Sequence, residues 1–328
     1  MARFPRTRLR RLRHNAALRE LLATVRVRRE NLVAPLFVCP GEGIRRKIAS
    51  MPEQYHQSVD TAVDTARRWA DAGLRGVLLF GVCDQKDPTG SQAWSDNGPV
   101  QRLIGELKRA TPELCVFTDV CLCAYTDHGH CGILTERPDE TRDVDNDATL
   151  EALATTALSH ARAGADVVAP SAMMDGQVGA IRQTLDGEGL TSTAIMAYSV
   201  KYASALYGPF RDAANSAPNF GDRRTYQMDP RSPRQAVQEA TADLDEGADI
   251  LMVKPAGVYL DVIAELRRRF DAPLAAYHVS GEYAMLHAAA ANGWLDLRAA
   301  VFEIFGAIQR AGADLIITYF AEQLANES

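Results

Sequence analysis

No run of eighteen apolar residues occurs in the chain, so the sequence implies no membrane-spanning helix. The opening stretch, MARFPRTRLRRLR, has no apolar core segment and does not read as a secretory signal. No G-x-G-x-x-G follows the first candidate strand, which argues against a doubly wound dinucleotide-binding sheet. Cysteine is scarce, six in 328 residues, and without an export signal the thiols are expected to stay reduced in a cytoplasmic setting. Acidic residues are nearly missing from one end. Residues 1–29 hold ten arginines against a single acid, Glu20, although the whole chain carries a net charge of −6. Such a segment can be a nucleic-acid-binding arm, a transit peptide or an extended arm that packs on a neighbouring subunit. Leu9, Leu12, Leu18, Leu21 and Leu22 favour the subunit contact, and no basic-aromatic pattern continues beyond residue 29. The expected partners are a small molecule and further copies of the chain, with neither nucleic acid nor membrane.

What is present is a recurring phrase. It reads A-G-L-R-G-V-L-L-F from Ala72, A-G-A-D-V-V-A-P-S from Ala163, E-G-A-D-I-L-M-V-K from Glu246 and A-G-A-D-L-I-I-T-Y from Ala311. Each copy follows a helix-like stretch, and its glycine (Gly73, Gly164, Gly247, Gly312) fits a helix C-cap. An apolar run follows, as in a strand buried on both faces. Filling the gaps predicts eight strands, at 32–38, 76–80, 114–123, 166–170, 194–199, 250–254, 273–278 and 314–319, with helical patterns between most of them. That count predicts an α/β fold, a (β/α)8 TIM barrel, over residues 31–328 after an N-terminal arm at 1–30. No internal domain boundary interrupts it. Long loops are expected near 39–56, 81–99, 124–146 and 203–232.

In a barrel, chemistry gathers at the C-terminal ends of the strands. The third strand ends in D-V-C-L-C-A-Y-T-D-H-G-H-C-G, Asp119–Gly132, where Cys121, Cys123 and Cys131 fall within eleven residues. Read as part of the strand, Cys121 and Cys123 point to one face. Three converging thiolates make a soft-metal site with zinc as first candidate, and a fourth position open to water or substrate is the mark of a catalytic zinc. His128 or His130 could instead close the site, and buried core cysteines or a disulfide are the bland alternatives. Lys254 ends the apolar run I-L-M-V-K, and Lys201 lies just past the preceding strand in A-Y-S-V-K. Burial lowers a lysine pKa and frees the amine for Schiff-base chemistry with a ketone or aldehyde, and two such cations in one cavity help keep one amine neutral. Between them Pro209–Pro230 has no helical or strand period and reads as an active-site lid, within a loop at about 203–232. Its arginines, Arg211, Arg223 and Arg224, suit bidentate capture of a carboxylate. The substrate these features imply is a small keto acid.

Over essentially its whole length the chain resembles the porphobilinogen synthase (5-aminolevulinate dehydratase) family, zinc-using type. The matching motifs are the cysteine stretch, A-P-S-A-M-M-D-G, Y-S-V-K-Y-A-S, G-D-R-R-T-Y-Q-M-D-P, L-M-V-K-P-A, A-Y-H-V-S-G-E-Y-A-M-L and I-I-T-Y-F. The resemblance implies a lyase of tetrapyrrole (haem) biosynthesis that condenses two 5-aminolevulinate molecules asymmetrically into porphobilinogen. It implies Schiff bases on Lys201 and Lys254. Arg211, Arg223 and Gln227 would hold one substrate carboxylate, and Ser280 and Tyr319 the other. Asp119 and Ser171 would position the free amino group, and Cys121, Cys123 and Cys131 would bind the zinc. It further implies an allosteric magnesium at Glu239 and a homo-octamer with arms wrapping neighbours, and it reads His128 and His130 as shaping the loop. Val200 departs from the pattern, where a smaller residue is expected. The alternative reading is a metal-independent Schiff-base aldolase on the same barrel, with a single essential lysine. A zinc-stabilised nucleic-acid-binding protein is the non-enzyme alternative.

Overall fold

Eight parallel strands close on themselves in a computed structural model that describes residues 3–137 and 141–326. They are β1 (Leu32–Val38), β2 (Gly76–Gly81), β3 (Cys115–Val120), β4 (Val167–Pro170), β5 (Ala194–Lys201), β6 (Ile250–Lys254), β7 (Leu274–His278) and β8 (Leu315–Thr318). Pairing of Leu32 with Ile316 and of Val33 with Ile317 joins β1 to β8 and seals the barrel. Helices lie between successive strands, as the repeating phrase predicts. Residues 1–2 of the expected arm, 138–140 of the expected loop and 327–328 at the chain's end lie outside the described residues.

The phrase has a clear physical meaning in three dimensions. Its glycine stops the helix in the left-handed region: Gly164 has φ 107°, and its N–H returns to Ala161 O. At Gly312 (φ 124°) an added Cβ would also lie 2.6 Å from Arg267 Cβ, so the helix Leu297–Ala311 ends where only glycine fits. The aspartate two residues after the glycine has a second task that spacing alone does not reveal. Asp166, Asp249 and Asp314 accept the backbone N–H of Val116, Ile195 and Leu274, each at 2.8 Å. Each thus satisfies an N–H at the start of the preceding strand, at the closed end of the barrel. The apolar residues that follow are buried throughout in β2 and β4, as strands covered on both faces require.

Two expectations are corrected here. β3 ends at Val120, so Cys121 and Cys123 are not strand residues. The chain turns immediately, with the N–H groups of Tyr125 and Thr126 both returning to Leu122 O. This turn, rather than strand alternation, brings the thiols together. The lid is not wholly irregular either. Gly208–Ala213 forms a short helix with a proline in its first turn, too brief to leave a period in the sequence. β5 runs two residues further than expected and includes Lys201.

In the N-terminal segment the short helix Ala16–Leu22 buries none of its residues, and Phe4, Leu9, Leu12, Leu21 and Leu22 are all exposed.

Candidate active site

Lys201 and Lys254 are cross-strand partners at the open end of β5 and β6. They are only 5% and 6% exposed. Lys201 Nζ donates to the carbonyl of Ser171, at the end of β4. Among the described residues Lys254 Nζ has no such acceptor; it lies in a box of aromatic faces, 4.3 Å from the Tyr277 centroid, 5.0 Å from Tyr198, 5.2 Å from Phe210 and 5.3 Å from Tyr207. Ring faces attract a cation, but they cannot replace its water shell. Burial, reinforced by the neighbouring Lys201 cation, therefore lowers the Lys254 ammonium to a pKa of about 7. These four rings are site residues that sequence reasoning missed. Its place next to the end of β7 offers a signal for Tyr277, but nothing local marks Phe210, which arrives on the lid.

Asp119, at the end of β3, lies beside the side chains of Ser171 and Tyr198. Burial raises its carboxyl to about 6 against the opposing pull of Lys201 and Lys254. Asp119, Ser171 and both lysines thus meet in one polar cluster.

Cys121, Cys123 and Cys131 are all buried and free, with ligand atoms within 4.8 Å of one another. Cys121 Sγ lies 3.4 Å from Cys123 Sγ, close to the spacing of about 3.8 Å that tetrahedral zinc at ~2.3 Å from each sulfur requires. The cluster holds a shared negative charge most readily on Cys131, whose thiol is pulled well down by hydrogen bonds from Cys121 and Cys123. All six cysteines are unpaired, which removes the disulfide alternative. His128 and His130 do not join the thiols. The His128 ring accepts the His130 N–H at 3.1 Å and reaches Pro88 O at 3.2 Å, while His130 bridges Tyr226 Oη at 3.0 Å and Phe220 O at 3.1 Å. They brace the cysteine loop against the lid.

The lid is fastened along its length. Ser50 holds Asp212, His56 Nε2 donates to Ala213 O, and Asn219 bonds Asp127 O and His128 O. Arg223 is buried and donates to Gly129 O at 2.8 Å and to Ser216 O. Ser50 and His56 were not foreseen; their partners lie more than 150 residues away, and no local pattern marks them. Several groups here remain unmatched. Both amide atoms of Gln227, together with Nε of Arg211 and of Arg223, are buried without a hydrogen-bond partner. Uncompensated buried donors beside two arginines are what an anionic ligand would satisfy.

Ser280 and Tyr319 lie at the same end of the barrel, with their hydroxyls engaged. Ser280 Oγ accepts from Phe210 N at 3.0 Å, tying the lid helix to the start of the helix Ser280–Ala291. Tyr319 Oη meets Tyr277 Oη at 3.0 Å and so adjoins the Lys254 box. Glu239 lies apart, half-buried on the helix Gln235–Asp245, where burial and the nearby Asp175 and Glu246 raise its carboxyl. Val200 is fully buried, faces Val253 across the sheet and strains nothing visible.

Comparison with known proteins points one way. A family model described as delta-aminolevulinic acid dehydratase matches residues 6–327. The protein of that name from Synechococcus elongatus is 51% identical over 322 residues, 98% of each chain. Its namesake from Methanothermobacter thermautotrophicus is 54% identical over 323 residues, 98% of this chain and 97% of its own. The crystal structure of delta-aminolevulinic acid dehydratase (porphobilinogen synthase) from Toxoplasma gondii, in complex with the reaction product porphobilinogen, superposes with a TM-score of 0.94. It is 44% identical and covers 98% of this chain and 91% of its own.

Proposed function

The chain belongs to the delta-aminolevulinic acid dehydratase family, and from that premise we propose that it is a hydro-lyase joining two molecules of 5-aminolevulinate into porphobilinogen with loss of two waters. The observation that carries this reading is the pairing of two buried lysines on adjacent strand ends, beside three convergent thiols. Each amine attacks the ketone carbon of one substrate molecule; carbon–nitrogen bond formation and loss of the oxygen as water leave an imine on the lysine. Transfer of the bound substrates to each other then forms the carbon–carbon and carbon–nitrogen bonds of the pyrrole and releases both lysines. Lys254, with its lowered pKa, holds and releases protons near neutrality. In this reading Asp119 and Ser171 receive a substrate amino group. In this reading Arg211, Arg223 and Gln227 receive a carboxylate on the lid side, supported by their unpartnered buried atoms, and Ser280 and Tyr319 receive the other. The soft donor set fits zinc, held by Cys121, Cys123 and Cys131, and zinc when bound supplies a Lewis acid.

An amine attacks a carbonyl only when unprotonated. Imine formation at Lys254 should therefore accelerate as pH rises through about 7 and level off above it, whereas an ordinary lysine would keep gaining up to about 10.4. Initial rates of borohydride-trappable adduct against pH measure this, and a rate still climbing steeply at pH 9 is the contrary result. Removing a carboxylate partner should act mainly on binding. Arg211→Ala should raise KM by roughly 10–100-fold, the equivalent of ~1.5–3 kcal/mol for a charged hydrogen bond, with kcat little changed. Steady-state kinetics decide it, and a fall in kcat at constant KM would remove Arg211 from substrate binding.

The assembly and the second metal belong to this proposal as well. An exposed arm studded with leucines needs another surface to cover it, in keeping with a homo-octamer in the cytoplasm. None of the described helices is long and apolar enough to cross a membrane. In this reading Glu239, whose carboxyl feels the charges of Asp175 and Glu246, takes an activating magnesium. Activity should rise with added magnesium and Glu239→Gln should abolish the rise; a flat magnesium titration of the unaltered enzyme would dispose of the site.

A further inference from the structure

The register between β5 and β6 slips by one residue. Ile250 and Leu251 pair with Met196 and Ala197, but Val253 and Lys254 pair with Val200 and Lys201. Tyr198 and Ser199 together stand opposite Met252, so β5 carries a bulge just before its lysine. The consequence is one of direction. On a regular strand side chains alternate, so residues three apart point to opposite faces. Tyr198 and Lys201 are three apart, yet both serve the interior: the Tyr198 ring lies 5.0 Å from Lys254 Nζ and 5.6 Å from Lys201 Nζ. Without the extra residue, Lys254 would face Val200, and Lys201 would turn away from the cavity toward the helical layer. The chemistry requires two amines side by side, and the bulge is what puts the second one there.

The bulge is gripped from outside the barrel. Ser199 is 2% exposed; its hydroxyl reaches Ala197 O at 3.4 Å and also meets the carboxyl of Asp243, in the last turn of the helix Gln235–Asp245. The two residues line a small cavity of about 30 Å³ together with Met173 and Met174. A buried hydroxyl at the irregular residue of a strand, anchored by a carboxylate on the covering helix, resists relaxation of that strand to regular alternation.

We propose that Asp243, acting through Ser199, is a positioning residue that holds the β5 bulge and thereby aims Lys201 at the substrate. The inference rests on the reading of Lys201 as a Schiff-base lysine. Its test is borohydride trapping with 5-aminolevulinate on the full-length protein, followed by mass spectrometry that quantifies label on the Lys201 and Lys254 peptides separately. Wild type, Ser199→Ala, Asp243→Ala and Asp243→Asn are compared. Because a misplacement of about an ångström is costly, both alanine variants should lower the Lys201 share of label about tenfold with Lys254 still labelled, and Asp243→Asn, whose amide oxygen still accepts from Ser199, should stay within about threefold of wild type. Ser199→Ala removes a single oxygen and decides the matter alone if Asp243→Ala does not fold. An unchanged Lys201:Lys254 ratio in Ser199→Ala, loss of both labels together, or failure of Asp243→Asn to rescue would each overturn the proposal. Wild-type protein that fails to label Lys201 would instead refute the underlying reading, so the two failures are told apart.

Discussion

Lys254→Ala should reduce porphobilinogen formation by at least ~10³-fold, since it removes a covalent nucleophile and a proton-transfer group together. The fold should survive the change. The amine lies among the rings of Tyr198, Tyr207, Phe210 and Tyr277 and makes no hydrogen bond that the barrel depends on. Removing a cation from that box relieves a desolvation cost, so thermal stability should hold or rise. The same assay on Lys201→Ala separates the two enzyme readings. Condensation of two carbonyl substrates requires both lysines, and Lys201→Ala should then be nearly as damaged as Lys254→Ala. An aldolase with one essential lysine would leave Lys201→Ala close to wild-type activity. Colorimetric assay of the pyrrole product, with a thermal melt beside each variant, distinguishes these outcomes.

The second large effect concerns the thiols. Stripping the protein with a strong chelator should lower activity by roughly 10²-fold or more, as loss of a Lewis acid worth several kcal/mol implies. Added zinc should restore it in proportion to metal bound per chain. Cys131→Ala should abolish both the activity and its recovery. Cys131 is the thiol that its neighbours Cys121 and Cys123 hold most strongly in the anionic form, and the buried cluster has no other donor among the described residues to replace it. Core thiols predict another pattern: alanine at Cys131 would lower stability and leave zinc without effect. Full activity in a rigorously metal-free preparation would overturn the zinc assignment while leaving the lysine chemistry intact.

How much of this was legible in the sequence depends on how local each signal is. Lys254 announces itself, because an ammonium at the end of I-L-M-V needs a reason to be there. The cysteines announce themselves by spacing, although that spacing reads as a strand where the structure has a turn. A strand and a tight turn both bring nearby thiols together, and an apolar run ending in C-L-C does not say where pairing stops. The barrel was legible because the phrase repeats, and the aspartates of three copies tie β4, β6 and β8 to the strand before. The lid helix was not, since six residues hold less than two turns. Nor were the clasps on that lid. Ser50 and His56 meet Asp212 and Ala213 only after the barrel closes, and their neighbours in sequence carry no trace of it. The bulge in β5 is the subtlest loss. A run of A-I-M-A-Y-S-V-K looks regular, and only pairing with β6 reveals the extra residue that turns Lys201 inward.

The most direct test of the central claim is borohydride reduction of the unaltered protein in the presence of 5-aminolevulinate, with peptide mass spectrometry. The chain has five lysines, so Lys47, Lys86 and Lys108 serve as controls in the same digest. Reduced substrate should be found on Lys254 and on Lys201 and on none of the other three. A Lys254 peptide that remains unlabelled while substrate is being consumed would contradict the mechanism outright.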